Sequence, residues 1–264
     1  MKKQGTLLFS FLLAAMAAFI AFQPAEVPPG EKESVIIQTM MRNLQRFHYQ
    51  PLEIDDDFSA RAYNFYLNDV DGARLFFTQE DTRDFSNHED LIDDQVNDGS
   101  YEFFNLVQER WTGSLDKTEA WYKSILGAPL SLEKGKEIKL RDEDSGWSTD
   151  DRALKAYWRE YIKRDILGQI VSKQNEIEDS QDTDEPMAKM SVAEIEAEAR
   201  KKTLERYDKW YERMRKSKLS IRRSQYLNAL TAMFDPHTTY YRPKDKESFD
   251  IRFSGRLEGI GATL

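Results

Sequence analysis

From Lys32 to Phe234 apolar residues recur every three or four positions, the period of helices that bury one face. Val35, Ile36, Met40, Leu44 and Phe47 predict a first helix ending near His48. Pro51 and Asp55-Asp-Asp57 break and recap the chain with a carboxylate suited to an N-cap. Phe58, Ala62, Phe65, Tyr66 and Val70 then mark a second helix. Asp71-Gly72 is a turn signal, Leu75-Phe-Phe77 returns to the core, and Thr78 caps a short helix toward Phe85. Leu91, Ile92 and Val96 run to a stop at Gly99. Tyr101, Phe104, Val107, Trp111, Trp121, Tyr122 and Ile125 predict one long helix or a broken pair, ended by Gly127 and Pro129.

Residues 130–149, charged and holding Gly135 and Gly146, read as an exposed, flexible connection. Leu154, Tyr157, Trp158, Tyr161, Ile162, Ile166 and Ile170 form the strongest amphipathic stripe. The polar, acidic segment 173–190 with Pro186 reads as a second flexible loop. Ser191-Val-Ala-Glu194 is a capping box that opens a helix through Ile195, Leu204, Tyr207, Trp210 and Met214. Ser220 is placed to cap the next helix, through Leu227, Leu230 and Phe234. The helical period stops at Asp235-Pro236, where proline lacks an N–H and fixes φ. The expected fold is therefore all-α, an irregular multi-helix domain over 34–234, with 235–253 as a hinge. A strand opening at 254–264 comes next, with no partner strand before Leu264, which implies a truncated further domain.

Composition changes this picture in three places. The amino-terminal segment 1–24, with Lys2 and Lys3 before the uncharged apolar run Leu7 to Phe22, reads as a signal peptide or an uncleaved signal anchor. Residues 25–33 then serve as a Pro-rich linker. A net charge of -9 argues against a nucleic-acid partner. The absence of cysteine excludes disulfides, thiol catalysis and Cys–Zn sites.

Candidate chemistry is sparse. His48, His88 and His237 lie far apart with no ligand spacing, so neither a metal nor a cofactor is expected. Ser114-x-x-Lys117 and Ser131-x-x-Lys134 imitate a serine–lysine acylation motif, but loop and capping use explains both. The basic stretch Arg200 to Arg223 is interleaved with Glu205, Asp208 and Glu212, as on an exposed ion-paired helix; a surface for an acidic partner is the sharper alternative. No nucleophile, base and oxyanion set emerges, and no catalytic residue is assigned.

Several stretches together resemble the tail-specific (C-terminal processing) serine proteases. Phe65-Tyr-Leu-Asn-Asp-Val-Asp-Gly-Ala-Arg-Leu-Phe-Phe-Thr-Gln-Glu-Asp-Thr-Arg-Asp-Phe85 resembles the family's amino-terminal segment, with Gly72 where proline is common. Tyr157-Trp-Arg-Glu-Tyr-Ile-Lys-Arg-Asp-Ile-Leu167 resembles its W-R-x-x-x-K helix. Phe234-Asp-Pro-His-Thr-Thr-Tyr240 is similar to its D-P-H-T-x-Y segment, and Leu257-Glu-Gly-Ile-Gly-Ala262 to the opening of its PDZ domain.

The resemblance implies an extracytoplasmic, periplasmic protein, tethered to the inner membrane if the leader is kept. It implies a helical domain followed by a PDZ domain that binds substrate C-termini, then a protease domain with a Ser/Lys dyad downstream of this chain. Gly259, Ile260, Gly261 and Ala262 would contribute substrate-binding backbone to the PDZ carboxylate loop. Asp235, Pro236, His237, Thr238 and Tyr240 would form a structural hinge. The implied partners are proteins or peptides with free C-termini and an envelope adaptor protein, with membrane contact only through an uncleaved leader. The rival reading is a stand-alone exported helical interaction module without enzymatic activity.

Overall fold

The computed structural model describes residues 29–132, 137–142, 144–181 and 189–254. Among them the chain is all-α. α1 spans Pro29–Phe47, α2 Asp56–Asp71, α3 Gln79–Ser86, α4 Ile92–Asp98, α5 Glu102–Leu126, α6 Asp151–Ser180, α7 Val192–Lys216, α8 Leu219–Thr231 and α9 Pro243–Ser254. The long α5 is the spine: it packs against α7 and α6 and is flanked by α3. α2 packs on α4 and α8, and α1 on α4.

Local chemistry sets most helix starts. Asp55 accepts from the Phe58 N–H at the head of α2. Thr78 and Asp81 close a reciprocal capping box on α3, as Ser191 and Glu194 do on α7. α5 is one unbroken 25-residue helix rather than a pair. Gly99 ends α4 with φ +75, and a Cβ there would lie 2.7 Å from the Cβ of Ser34. A left-handed residue without a side chain is what lets α1 approach α4, and the Ser34 hydroxyl donates to the Gly99 carbonyl at 2.6 Å.

Five expectations need correction. α1 begins at Pro29, within the expected linker, since proline is well suited to a first helical position. Its buried residues are Ile37 and Met41, whereas Val35 and Phe47 are exposed, because the face turned to α4 lies one residue on from the expected stripe. Lys173 to Ser180 continue α6 instead of starting a loop; their Lys, Gln and Glu are good helix formers, and Lys173 pairs with Glu176 one turn on. α8 is headed by Lys218, and Ser220 lies inside it, its carbonyl accepting from the Ser224 hydroxyl. Of the expected hinge, residues 243–253 belong to α9.

The connection before α6 meets the core at Trp147 and Ser148. Ser148 is buried and forms an isolated parallel bridge with Thr78, and Trp147 covers the turn after α2. That turn organises the centre of the molecule. The Asp71 carboxylate accepts the N–H groups of Leu75, Phe76 and Phe77 at 2.6, 3.1 and 3.0 Å, and the Trp147 indole N–H at 3.3 Å. The Trp158 indole donates to the Leu75 carbonyl at 2.7 Å, and the Ser114 hydroxyl to that of Phe76 at 2.6 Å. Side chains from three helices, α2, α5 and α6, thus satisfy a buried non-helical backbone, which would otherwise be costly. Arg74, at φ 56, is held there by bonds to the Asp71 and Ser145 carbonyls and to Asn68, with its guanidinium 3.9 Å from the Trp147 ring centre. The stretch Asp71 to Phe77 is therefore a structural knot.

Candidate functional site

The segment singled out by sequence, Asp235 to Tyr240, comes after α8 and leads into α9. Met233 and Phe234 still donate backwards to Leu230 and Thr231, so the helix tightens before it stops. Asp235 then folds the chain over. One carboxylate oxygen, Oδ1, accepts the N–H groups of His237 at 2.6 Å and Thr238 at 3.0 Å. The other, Oδ2, accepts from the Thr238 hydroxyl and from His48 Nε2, the latter at 2.7 Å. The Thr238 carbonyl accepts from the Thr231 hydroxyl at 2.9 Å, and the Tyr240 N–H donates to Asn228 Oδ1 at 2.7 Å. Both ends of the turn are therefore fastened to α8. Pro236 and His237 stand exposed, and His237 contributes its backbone N–H.

His48 is the residue that sequence reasoning missed. It reads locally as a histidine at a helix end, but it reaches Asp235 across 187 positions. Its ring lies edge-on to Phe234, with centroids 5.4 Å apart, and Phe234 meets Phe58 of α2. The clasp thereby ties the end of α1 to the end of α8. No short motif encodes such a pairing.

An aspartate, a histidine and a hydroxyl in contact invite comparison with a hydrolytic triad, and the geometry rules that out. A triad uses the two imidazole nitrogens for different partners, the acid on one and the nucleophile on the other. Here Asp235 and Thr238 both meet Nε2, at 2.7 and 3.3 Å. Nδ1 lies 2.8 Å from the Gln50 carbonyl, nearer than the Gln50 N–H at 3.2 Å. Both nitrogens thus face acceptors, an arrangement that favours the protonated ring. The bond to Asp235 and then that to Gln50 raise the His48 pKa. The Thr238 hydroxyl, His48 and the backbone N–H of His237 hold Asp235 well below the usual carboxylate range. With Asp235 and the Thr238 hydroxyl on the same ring nitrogen, and that hydroxyl bonded to the acid, no separate base is placed to activate it.

The serine–lysine look-alike also dissolves. Ser114 is buried with its hydroxyl on the Phe76 carbonyl, and Lys117 Nζ sits 2.7 Å from Asp151. Lys134, Gly259, Ile260, Gly261, Ala262 and the leader lie outside the described residues. In the basic stretch, Arg200, Lys202 and Lys216 pair with the glutamate four residues before each, and Arg215 reaches Asp116 and Glu119 on α5. Among the described residues no group of three or more His, Asp or Glu side chains is placed to hold a metal ion. Nor, among them, is any helix long and apolar enough to cross a membrane.

The profile of the tail specific protease N-terminal domain matches residues 40–244, a span that contains His48, the Asp71 knot and the whole Asp235–Tyr240 turn. The chain belongs to this family. The tail-specific protease of Haemophilus influenzae is 24% identical over 269 residues, an alignment that takes in 96% of this chain and 34% of the relative. The chain therefore spans about a third of the length of that relative, and corresponds to the N-terminal domain of a tail-specific protease.

Proposed function

We propose that this chain is the non-catalytic amino-terminal arm of an extracytoplasmic tail-specific serine endopeptidase. In this reading residues 1–24 direct export, the helical domain positions the domains downstream of it, and residues 254–264 open a PDZ domain. Gly259, Ile260, Gly261 and Ala262 then supply backbone N–H groups for the C-terminal carboxylate of a protein substrate. A Ser/Lys dyad beyond Leu264 performs the cleavage. The clasp of His48 and Asp235 fixes the direction in which the chain leaves the helical domain. The observation that carries this reading is the family match from residue 40 to 244, running through the turn.

The test is to incubate the purified 264-residue chain with a peptide ending in apolar residues and monitor it by mass spectrometry. The peptide is expected to remain intact. Cleavage that persists after rigorous repurification would overturn the assignment of a non-catalytic arm.

A further inference from the structure

A cleft of about 580 Å³ opens between the first turns of α1, the start of α8 and the segment that leads into α9. Its apolar lining comes from Ile36, Ile221, Leu227 and the ring of Tyr240. Five cations stand around it, Lys32, Lys218, Arg223, Arg242 and Lys244, against the two anions Glu33 and Asp245. Arg223 is engaged by Glu33 at 2.6 Å and Arg242 by Asp245. The three lysines are exposed and have no ion-pair partner among the described residues. The cleft is thus positive by three charges in a chain whose net charge is -9.

The backbone adds to this field. α1, α8 and α9 all begin beside the cleft, and α8 has neither a side-chain cap nor an acidic residue in its first turn. Its leading N–H groups and the positive end of its dipole are not offset by local carboxylates.

We infer that this cleft binds an acidic peptide segment of another protein, with one apolar side chain against Leu227 and Tyr240 and carboxylates at Lys32, Lys218 and Lys244. The apolar lining is matched by a side chain that a bare polyanion lacks. The positive charge is confined to a groove in an acidic molecule, so a long polyanion or a flat anionic membrane would be repelled beyond it. Peptide capture here is separate from recognition of substrate C-termini and requires no protease domain.

The probe is a fluorescein-labelled peptide with a Leu-Phe pair between runs of Glu and Asp, titrated with the full chain by fluorescence anisotropy. Saturable binding is expected, weakening as salt rises. The triple variant Lys32→Glu, Lys218→Glu, Lys244→Glu should bind about tenfold more weakly, as should the wild-type chain with a Gln/Asn version of the peptide. Replacing the Leu-Phe pair by Ser-Ser should weaken binding by a similar factor. Lys202→Glu with Lys216→Glu, on the exposed side of α7, should leave affinity unchanged. Circular-dichroism melting of each variant confirms that the fold is retained, and the peptide-side substitutions test the idea without any change to the protein. The inference is overturned by absence of saturable binding or by undiminished affinity in the triple variant. Tighter binding of a single-stranded oligonucleotide or of phosphatidylglycerol vesicles would overturn it too.

Discussion

Asp71, the last residue of α2, and Asp235, just beyond α8, each turn a carboxylate onto N–H groups of the chain that follows, yet their surroundings push their protons in opposite directions. Asp71 is 2% exposed, and burial lifts its pKa to about 6 against the pull of three backbone N–H groups and Trp147. The Asp235 side chain is 12% exposed, and the bonds it accepts from the Thr238 hydroxyl, His48 and the His237 N–H hold its pKa below the ordinary 3.8. Hydrogen bonds lower the pKa at both positions, and the degree of desolvation decides the direction. At buried Asp71 desolvation outweighs them, whereas at partly hydrated Asp235 the bonds from Thr238, His48 and the backbone prevail. The contrast also separates roles: Asp71 holds the core together, whereas Asp235 fastens two helix ends near the point where the chain moves on to α9.

The largest effect that would test this contrast is on stability. Asp71→Ala leaves the Leu75, Phe76 and Phe77 N–H groups without their acceptor inside the core. At roughly 1–3 kcal/mol for each unsatisfied buried group, the loss should be at least about 3 kcal/mol in urea unfolding. A near-neutral result would show that the knot is not what organises the core. Asp235→Ala should lower the melting temperature clearly less, because water can reach the freed N–H groups of His237 and Thr238. Equal losses at the two positions would erase the distinction.

Smaller, but more specific, are the pH profiles. The folded pKa of Asp71 is raised, so its favourable contribution is complete below about pH 4 and is lost as pH rises through about 6. The folded pKa of Asp235 is lowered, so its contribution is present above 3.8 and is lost as pH falls. The folded pKa of His48 is raised, so its contribution is present below 6.5 and is lost as pH rises through that folded value. The stability gap between wild type and Asp71→Asn should therefore narrow from about pH 4 to 7. The gap for Asp235→Asn should widen as pH rises from about 3 to 5, then shrink above neutrality. Thermal melts across this range measure both, and parallel profiles would refute the opposed shifts.

What was legible in the sequence was local. Asp55, Thr78 and Ser191 cap helices through N–H groups three residues away, and helices α2, α3, α5 and α7 start where those signals or the apolar period put them. The stripe on α6 was equally plain, with Leu154, Trp158, Ile162 and Ile166 fully buried. Signals failed where a partner was distant. Nothing around Val35 tells which face α1 turns inward, since that depends on the missing side chain of Gly99. Polar composition misread the end of α6, because helix propensity and an ion pair one turn apart sustain it without burial. The turn at Asp235 was recognisable as a structural segment by its proline and its resemblance, but its anchor at His48 was not. In the basic stretch Arg200 to Arg223, Arg200, Lys202, Arg206, Arg215 and Lys216 of α7 are paired, as the interleaved acids suggested, whereas Lys218 lines the cleft beside Lys32 and Lys244.

The central claim is that His48 and Asp235 form an ion pair that closes α1 onto the turn after α8. Its most direct test is a proton NMR titration of the three imidazoles, with His48 assigned by its loss in His48→Gln. The account predicts a His48 pKa above 6.5 in the wild-type chain that returns toward that value in Asp235→Asn. A His48 pKa at or below 6.5, or one that Asp235→Asn leaves in place, would contradict it.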